Sequence, residues 1–235
     1  MIDICLICAR KGSKEVKNKN ILKIFNTPLI GWSIKQALSS RLFENVYVST
    51  DCQKIAKISK RFGAEVPFIR SQKLSKDNTS KFLVWKDALA KIENITKKKI
   101  RYVVDLDCTN PIRSRKDIYG VIKMMKKNKK ADAVITISKS RRNPYFNMVE
   151  KLKKGSLAIS KKSKKKILSR QKAPSVFDIV ANVYCMKADF LKKSNNLFDG
   201  KIYGYEIDQK KSIDIDTHHD FQIVKMLIKK LNKNV

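Results

Sequence analysis

Glycine and proline are scarce in this chain of 235 residues, 7 and 5 respectively, which excludes collagen-like repeats and long flexible linkers. Histidine occurs only as the adjacent pair His218 and His219. Neighbours in one helical turn face different ways, so both read as surface residues and no Ser-His-Asp arrangement can be built. Cysteine is odd in number: Cys5, Cys8, Cys52, Cys108 and Cys185. They sit mostly within apolar runs, as reduced thiols of a reducing compartment do. The Cys5-x-x-Cys8 pair lacks a second Cys or His pair and reads as two core thiols of a strand, not a zinc or redox site. No run approaches the roughly 20 apolar residues of a membrane helix, and Met1 to Arg10 lacks the features of a secretory signal. A soluble, cytoplasmic protein without a membrane partner is expected.

Acidic residues are also few, 21 against 53 Lys plus Arg, for a formal charge of +32. Only 10 of those cations are Arg and 43 are Lys. Recognition of bases and phosphates by a rigid fork favours Arg, so lysine spread over every helix argues against nucleic acid as the partner. The positive field still attracts small polyanionic substrates, within the roughly 8 to 10 Å that salt leaves unscreened. What is abundant is apolar: 43% hydrophobic residues in a chain of this length bury a real core.

The apolar runs alternate in type. A buried strand at Ile2 to Cys8 precedes a polar loop, Ala9 to Asn20, and a helix near Leu29 to Ser39. Then come a strand at Val46 to Ser49, a helix at Gln53 to Phe62, a strand at Glu65 to Ile69, a helix around Ser80 to Ile92 and a strand at Tyr102 to Leu106. A helix (Lys116 to Lys127) and a strand (Ala133 to Ile137) continue the pattern, which breaks into basic, irregular sequence from Lys139 to about Ser175. It resumes with strands at Ile179 to Met186 and Ile202 to Glu206, the strand-like Ser212 to Asp216, and a closing helix from His218 to Leu231. This order predicts one α/β domain over residues 1–235, an open, mostly parallel sheet with helices on both faces and an insertion at 139–175. Its site belongs outside the carboxyl ends of the strands.

Three segments fall there. The first loop, Ala9 to Asn20, carries cations and small residues suited to phosphate, but its spacing is neither GxGxxG nor GxxxxGK[ST]. Near the carboxyl end, Ser212-Ile213-Asp214-Ile215-Asp216-Thr217 places both isoleucines on one face and both aspartates on the other, roughly 6 to 7 Å apart. A half-buried pair of that kind suits Mg²⁺, bound through one or two carboxylates with phosphate oxygens and water. Thr217 and Asp220 also resemble a capping box, and both roles can hold. Asp105 and Asp107 end the strand before Cys108-Thr109-Asn110-Pro111-Ile112-Arg113; Arg113 and Asp117 read as a surface turn and helix start.

Together, Ile7 to Lys14 with Lys17 to Ile21, then Leu106 to Arg113, and finally Ile213 to Thr217 resemble the acylneuraminate cytidylyltransferases, or CMP-sialic acid synthetases. The stretches Arg141 to Asn147 and Ser169 to Pro174 look closer to the bacterial CMP-legionaminic acid branch. The resemblance implies a Rossmann-like nucleotidyltransferase fold and transfer of CMP from CTP to the anomeric hydroxyl of a nine-carbon 2-keto-3-deoxy acidic sugar, with Mg²⁺. It implies Arg10, Lys19 and Asp216 as catalytic residues, and Arg10, Ser13, Lys14, Lys19, Asn20, Arg70, Ser80 and Asp107 around the nucleotide. Arg170, Gln171 and Asp178 would meet the sugar, Asp214 and Asp216 the metal. The insertion matches the family's dimerisation segment, which reaches toward the other subunit's site, so a homodimer is expected.

Some positions depart from the family pattern. Lys11 and Glu15 replace glycines, Asp107 stands where sialic acid enzymes usually carry Gln, Asp178 where many carry Arg, and Val180 where Asn is frequent. The changes at 107 and 178 favour a bacterial nonulosonic acid other than N-acetylneuraminate; Glu15 and Val180 motivate the reading of an impaired homologue. Activation of the eight-carbon sugar KDO is the nearest rival, but its enzymes usually show Gly-Asp-Glu-Pro where this chain has Cys108-Thr109-Asn110-Pro111. A basic nucleic-acid-binding protein is the rival from another class, and it would predict clustered Arg with aromatic platforms.

Overall fold

The computed structural model describes residues 1–13, 15–164 and 166–233. Its elements in chain order are β1 (Ile2–Cys8), β2 (Lys23–Ile24), β3 (Thr27–Pro28), α1 (Leu29–Ser40), β4 (Val46–Ser49), α2 (Gln53–Arg61), α3 (Lys81–Thr96), β5 (Ile100–Leu106), α4 (Arg115–Lys127), β6 (Ala133–Lys139), β7 (Val149–Lys151), β8 (Leu157–Ile159), β9 (Phe177–Lys187), α5 (Ala188–Lys193), β10 (Ile202–Glu206) and α6 (His218–Lys233). Six strands form the central sheet in the order β10-β6-β9-β5-β1-β4. Five run parallel and β9 runs antiparallel between β5 and β6.

The near-continuous apolar character of β1 follows from burial on both faces. Cys5 and Ile7 point into a core built with α1, α2 and α4, through Ile30, Ile34, Ile55, Ile118 and Val121. Ile4 and Leu6 point the other way, against Phe82, Trp85 and Leu89 of α3 and Leu191 of α5. A third cluster seats α6, through Val224 and Ile228, on Ile24, Leu29, Ile112 and Ile215. Gly120 lets β10 close over α4, since a Cβ there would stand 2.3 Å from the Tyr205 ring. All five cysteines are free, and no helix among the described residues is long and apolar enough to cross a membrane.

Three local expectations are corrected. Glu65 to Ile69 is not a strand; it runs beside β4 with only isolated bridges, Tyr47 to Glu65 and Thr50 to Ile69. Glu65 N donates to Val46 O and its carbonyl accepts from Val48 N, but the next inward donor belongs to Pro67, which has no N–H. Ser212 to Asp216 joins no ladder, and Ser212 itself, at φ -93° and ψ 18°, is not extended. The insertion is not wholly irregular: β7 and β8 pair as a hairpin around Gly155 at φ 84°, and Asn143 braces the segment by donating to Pro174 O at 2.9 Å.

Candidate active site

One cleft of about 560 Å³ opens over the carboxyl ends of β1 and β5, lined by residues that include Cys8, Arg10, Gly12, Ser13, Glu15, Lys19, Asn20, Arg70, Asp77, Lys81, Asp107, Thr109 and Asp216. The loop after β1 is shaped from within. Buried Val16 anchors it, Asn18 adopts φ 57°, and a turn of 3-10 helix at Lys19–Ile21 follows. Asn20, buried, donates from Nδ2 to Arg10 O at 3.0 Å, so it braces the loop across its own base.

Lys19 and Asp216, 197 positions apart, meet at 2.9 Å between Nζ and Oδ1. The carboxylate is placed by its neighbours: Ile215 is fully buried in the α6 cluster and its N–H donates to Thr109 O at 2.9 Å. Thr217 and Asp220 form the expected reciprocal cap at the start of α6, Thr217 N to Asp220 Oδ2 at 2.7 Å and Asp220 N to Thr217 Oγ1 at 3.2 Å. The hydrogen bond from Thr217 N is the first of the contacts that hold Asp220 below the usual carboxylate value. Capping therefore uses Asp220 and leaves the side chain of Asp216 to the cleft.

Arg10 Nη1 pairs with Asp77 Oδ1 at 2.5 Å. Arg70 is 3% exposed, held by Nε to Ser75 Oγ at 3.1 Å, and still lines the cleft. Glu15 lines it too, so its charge does stand beside the loop's cations. At the floor, Lys81 Nζ lies 2.7 Å from Asp105 Oδ2 and 2.5 Å from Asp107 Oδ2. Thr109 donates from N (3.0 Å) and Oγ1 (2.9 Å) to the other Asp107 oxygen. Burial works against ionising both aspartates. It prevails at Asp105, which is raised despite Lys81; at Asp107, Lys81 and Thr109 prevail and the carboxyl titrates below its ordinary value. Burial opposes the Lys81 charge as well, yet the two aspartates hold its ammonium well above the ordinary lysine value.

Asp214 is not among the cleft-lining residues. Asn110 Nδ2 donates to its Oδ1 at 3.3 Å, and burial, then the nearby Asp107 charge, push it up to about 6. Ser80 caps α3, accepting from Phe82 N at 3.2 Å, and it too lies outside the cleft lining although Thr79 and Lys81 line it. Arg170, Gln171 and Asp178 are exposed and do not line this cleft; Arg170 spans the insertion's base through Ser140 O and Arg141 O. Lys14 lies outside the described residues. The structure thus brings together Arg10, Ser13, Lys19, Asn20, Arg70, Asp107 and Asp216, and does not bring Ser80, Asp214, Arg170, Gln171 or Asp178 into the cleft of the same chain.

Sequence reasoning missed three residues. Arg113 is not on a surface turn: it is 4% exposed and binds Asn182 O at 2.5 Å, Ser33 Oγ at 2.9 Å and Asp107 O at 3.2 Å, tying the end of β5 to β9 and α1. Asp117 is buried as well, closing a capping box with Ser114 and paired to Lys211 at 2.7 Å. Lys81 carried a signal, standing after the helix cap Ser80 at the N-terminal end of an amphipathic helix, where a cation is disfavoured by the helix dipole unless acids face it.

A family model described as cytidylyltransferase matches residues 4–235. The chain is 39% identical over 225 residues to the CMP-N,N'-diacetyllegionaminic acid synthase of Campylobacter jejuni, covering 96% of this chain and 94% of that one. It is also 39% identical over 229 residues to the post-translational flagellin modification protein B of Campylobacter coli, with 97% and 96% covered. A solved structure of CMP:2-keto-3-deoxy-manno-octonic acid synthetase complexed with CTP covers 98% of this chain and 99% of its own, with a TM-score of 0.72 at 15% identity, a likeness of fold alone. With a cation-bearing loop after β1, an acidic segment before α6, and a sequence match spanning nearly its whole length, the chain belongs to the cytidylyltransferase family.

Proposed function

We propose that this protein transfers CMP from CTP to the anomeric hydroxyl of a nine-carbon 2-keto-3-deoxy acidic sugar of the legionaminic or another sialic type, releasing pyrophosphate. The observation that carries the reading is the meeting of Lys19 and Asp216 in one cleft with Arg10, Ser13 and Arg70. The 39% identity to a CMP-N,N'-diacetyllegionaminic acid synthase supports this sugar class over KDO. In the reaction, the sugar oxygen bonds to the α-phosphorus, the bond to pyrophosphate breaks, and the hydroxyl proton leaves to a base. Arg10 and Lys19 hold the triphosphate and neutralise the departing pyrophosphate, each donor of that kind contributing roughly 3 to 4 kcal/mol to lowering the barrier. Asp216, on the cleft side, is placed to take the proton once Lys19 turns to phosphate.

Mg²⁺ fits these residues as a cation carried in with the nucleotide. Asp107 and Asp216 both raise the pKa of Asp214, so negative charge is crowded where a cation would relieve it. No group of three or more His, Cys, Asp or Glu among the described residues could hold a metal; one or two carboxylates with phosphate oxygens and water make the usual Mg²⁺ shell. Asp216, with Asp214 behind it, would hold the ion, which supplies charge neutralisation at the phosphates.

The insertion exposes Val149, Leu152, Leu157 and Leu168 at 48 to 69%, an apolar surface that supports a homodimer. In that assembly Arg170 and Gln171 meet the sugar at the other subunit's cleft. Free thiols at all five cysteines support a cytoplasmic setting. The test is pyrophosphate release from CTP and Mg²⁺ with legionaminic, pseudaminic and N-acetylneuraminic acids and KDO, with light scattering for the assembly. Release with one of the nine-carbon acids is expected, and no release with any of the four defeats the reading.

A further inference from the structure

The buried charges under the cleft are more elaborate than phosphate binding requires. Lys81 is the first residue of α3, and its ammonium is shared by Asp105 of β5 and Asp107 just past the end of that strand. Asp105 is fully buried and does not line the cleft; Asp107 does. The rings of Trp85 and Tyr184 flank the same ammonium, with centroids 5.3 and 5.1 Å away. Two carboxylates, two aromatic faces and a helix backbone thus fix one lysine.

Asp107 is fixed from the other side too. A carboxylate offers about four lone-pair directions. Thr109 N and Oγ1 take two on Oδ1 and Lys81 takes one on Oδ2, leaving a direction unused on a side chain that borders the cleft. An anion there repels phosphate. It accepts instead from a neutral N–H or O–H.

We propose that Lys81 is a positioning residue: seated on Asp105, it holds the Asp107 carboxylate as a fixed acceptor at the cleft floor for a neutral N–H or O–H donor of a bound substrate. This rests on the cytidylyltransferase reading above. The donor belongs either to the cytosine and ribose of CTP or to the hydroxyls and amides of the acceptor sugar, and the chemistry of recognition is the same. Lys81 acts only through Asp107, and Asp105 serves to keep the ammonium in place.

The test compares wild type, Asp107→Asn, Lys81→Met with Asp105→Asn, and the three changes together, all in the full chain. Removing Lys81 and Asp105 jointly keeps Asp105 from being orphaned and leaves Asp107 its Thr109 donors and the open side of the cleft; the melting temperature checks that each variant folds, and Asp107→Asn, which orphans no charge, tests the acceptor role by itself. Wild-type pyrophosphate release with CTP and a nine-carbon acid is measured first: its absence defeats the cytidylyltransferase reading and this proposal with it, whereas release by wild type with the variant outcomes below defeats this proposal alone. Asp107→Asn is expected to raise one substrate's KM about tenfold with kcat changed less than about threefold. A rise for CTP accompanied by loss of the preference over UTP assigns the donor to cytosine; a rise for CTP with that preference kept assigns it to ribose; a rise for the sugar alone assigns it there. The paired variant is expected to shift the same KM, and the triple variant to be no worse than about twofold beyond Asp107→Asn, because the groups act as a unit. Multiplicative effects, a paired variant that lowers kcat alone, or unchanged KM values for both substrates in Asp107→Asn would overturn the proposal.

Discussion

The rim and the floor of the cleft hold charge in opposite ways. At the rim, Arg10 and Asp77 are 35% and 45% exposed, and Asp216, facing Lys19, is 71% exposed. Water competes for such pairs, their net worth is near 0 to about 1 kcal/mol, and an incoming triphosphate can exchange partners with them. At the floor, Asp105 is fully buried and Asp107 only 16% exposed. Charges there are poorly solvated if a partner leaves, Asp105 above all, so they are held in place. The rim is built to be rearranged by ligands and the floor to stay put; a binding site for a highly charged substrate needs both.

Breaking the rim is expected to cost rate and spare stability. Asp216→Asn should reduce turnover to the limit of detection while the free energy of unfolding changes by less than about 1 kcal/mol. A large loss of folding stability would move Asp216 from the cleft to the cap. Lys19→Ala should lower kcat by about 10² to 10³ with the sugar KM little altered; an unchanged kcat removes Lys19 from the phosphate role. At the floor the sign reverses. Lys81→Met alone, without its compensating change, should destabilise by about 2 to 4 kcal/mol in urea, slightly below the range for a wholly enclosed pair because Lys81 borders the cleft. A loss under about 1 kcal/mol would erase the contrast.

Asp214 stands between the two regions, and pH distinguishes it. Its folded pKa of about 6 lies above the ordinary 3.8, so the folded state binds the proton more tightly. Its stabilising contribution is complete below about pH 4 and lost as pH rises through 6. In chelator-treated protein, wild type should therefore lose about 1 to 3 kcal/mol relative to Asp214→Asn between pH 4 and 7. Parallel stability curves for the two would place Asp214 in solvent. The smallest effect belongs to Asp77→Ala, which frees Arg10 and should tighten CTP binding by no more than about fivefold; weakened binding would make Asp77 part of the nucleotide's seat.

Much of the architecture was legible because hydrophobic period and element length agree. Ile2 to Cys8 is apolar at every position that both faces bury, and Val46 to Ser49 and Ile202 to Glu206 have the expected bounds. What was illegible depends on contacts distant in sequence. The antiparallel course of β9 follows from its place between β5 and β6, which no local pattern encodes. Arg113 looks like any surface arginine until Asn182 and Ser33, 69 and 80 positions away, are beside it. Pro67 is a local signal against a strand at Glu65 to Ile69, since one missing donor undoes a short ladder. In the site, the loop that holds Lys19 and the paired aspartates of the segment that holds Asp216 could be nominated from the residues, but Lys19 itself was singled out by resemblance, as were Arg170, Gln171 and Asp178, and these last three do not line the cleft of their own chain.

The bridge between positions 19 and 216 also bears on biosynthesis. A chain still on the ribosome can assemble β1, β4 and β5, whose pairings are complete by residue 106, yet it lacks the carboxylate opposite Lys19 and the helix that seats it. The partner of Lys19 therefore arrives late, with the segment that α6 seats on Ile24 and Leu29, and clipping the last turns of that helix should lower activity while leaving the sheet folded.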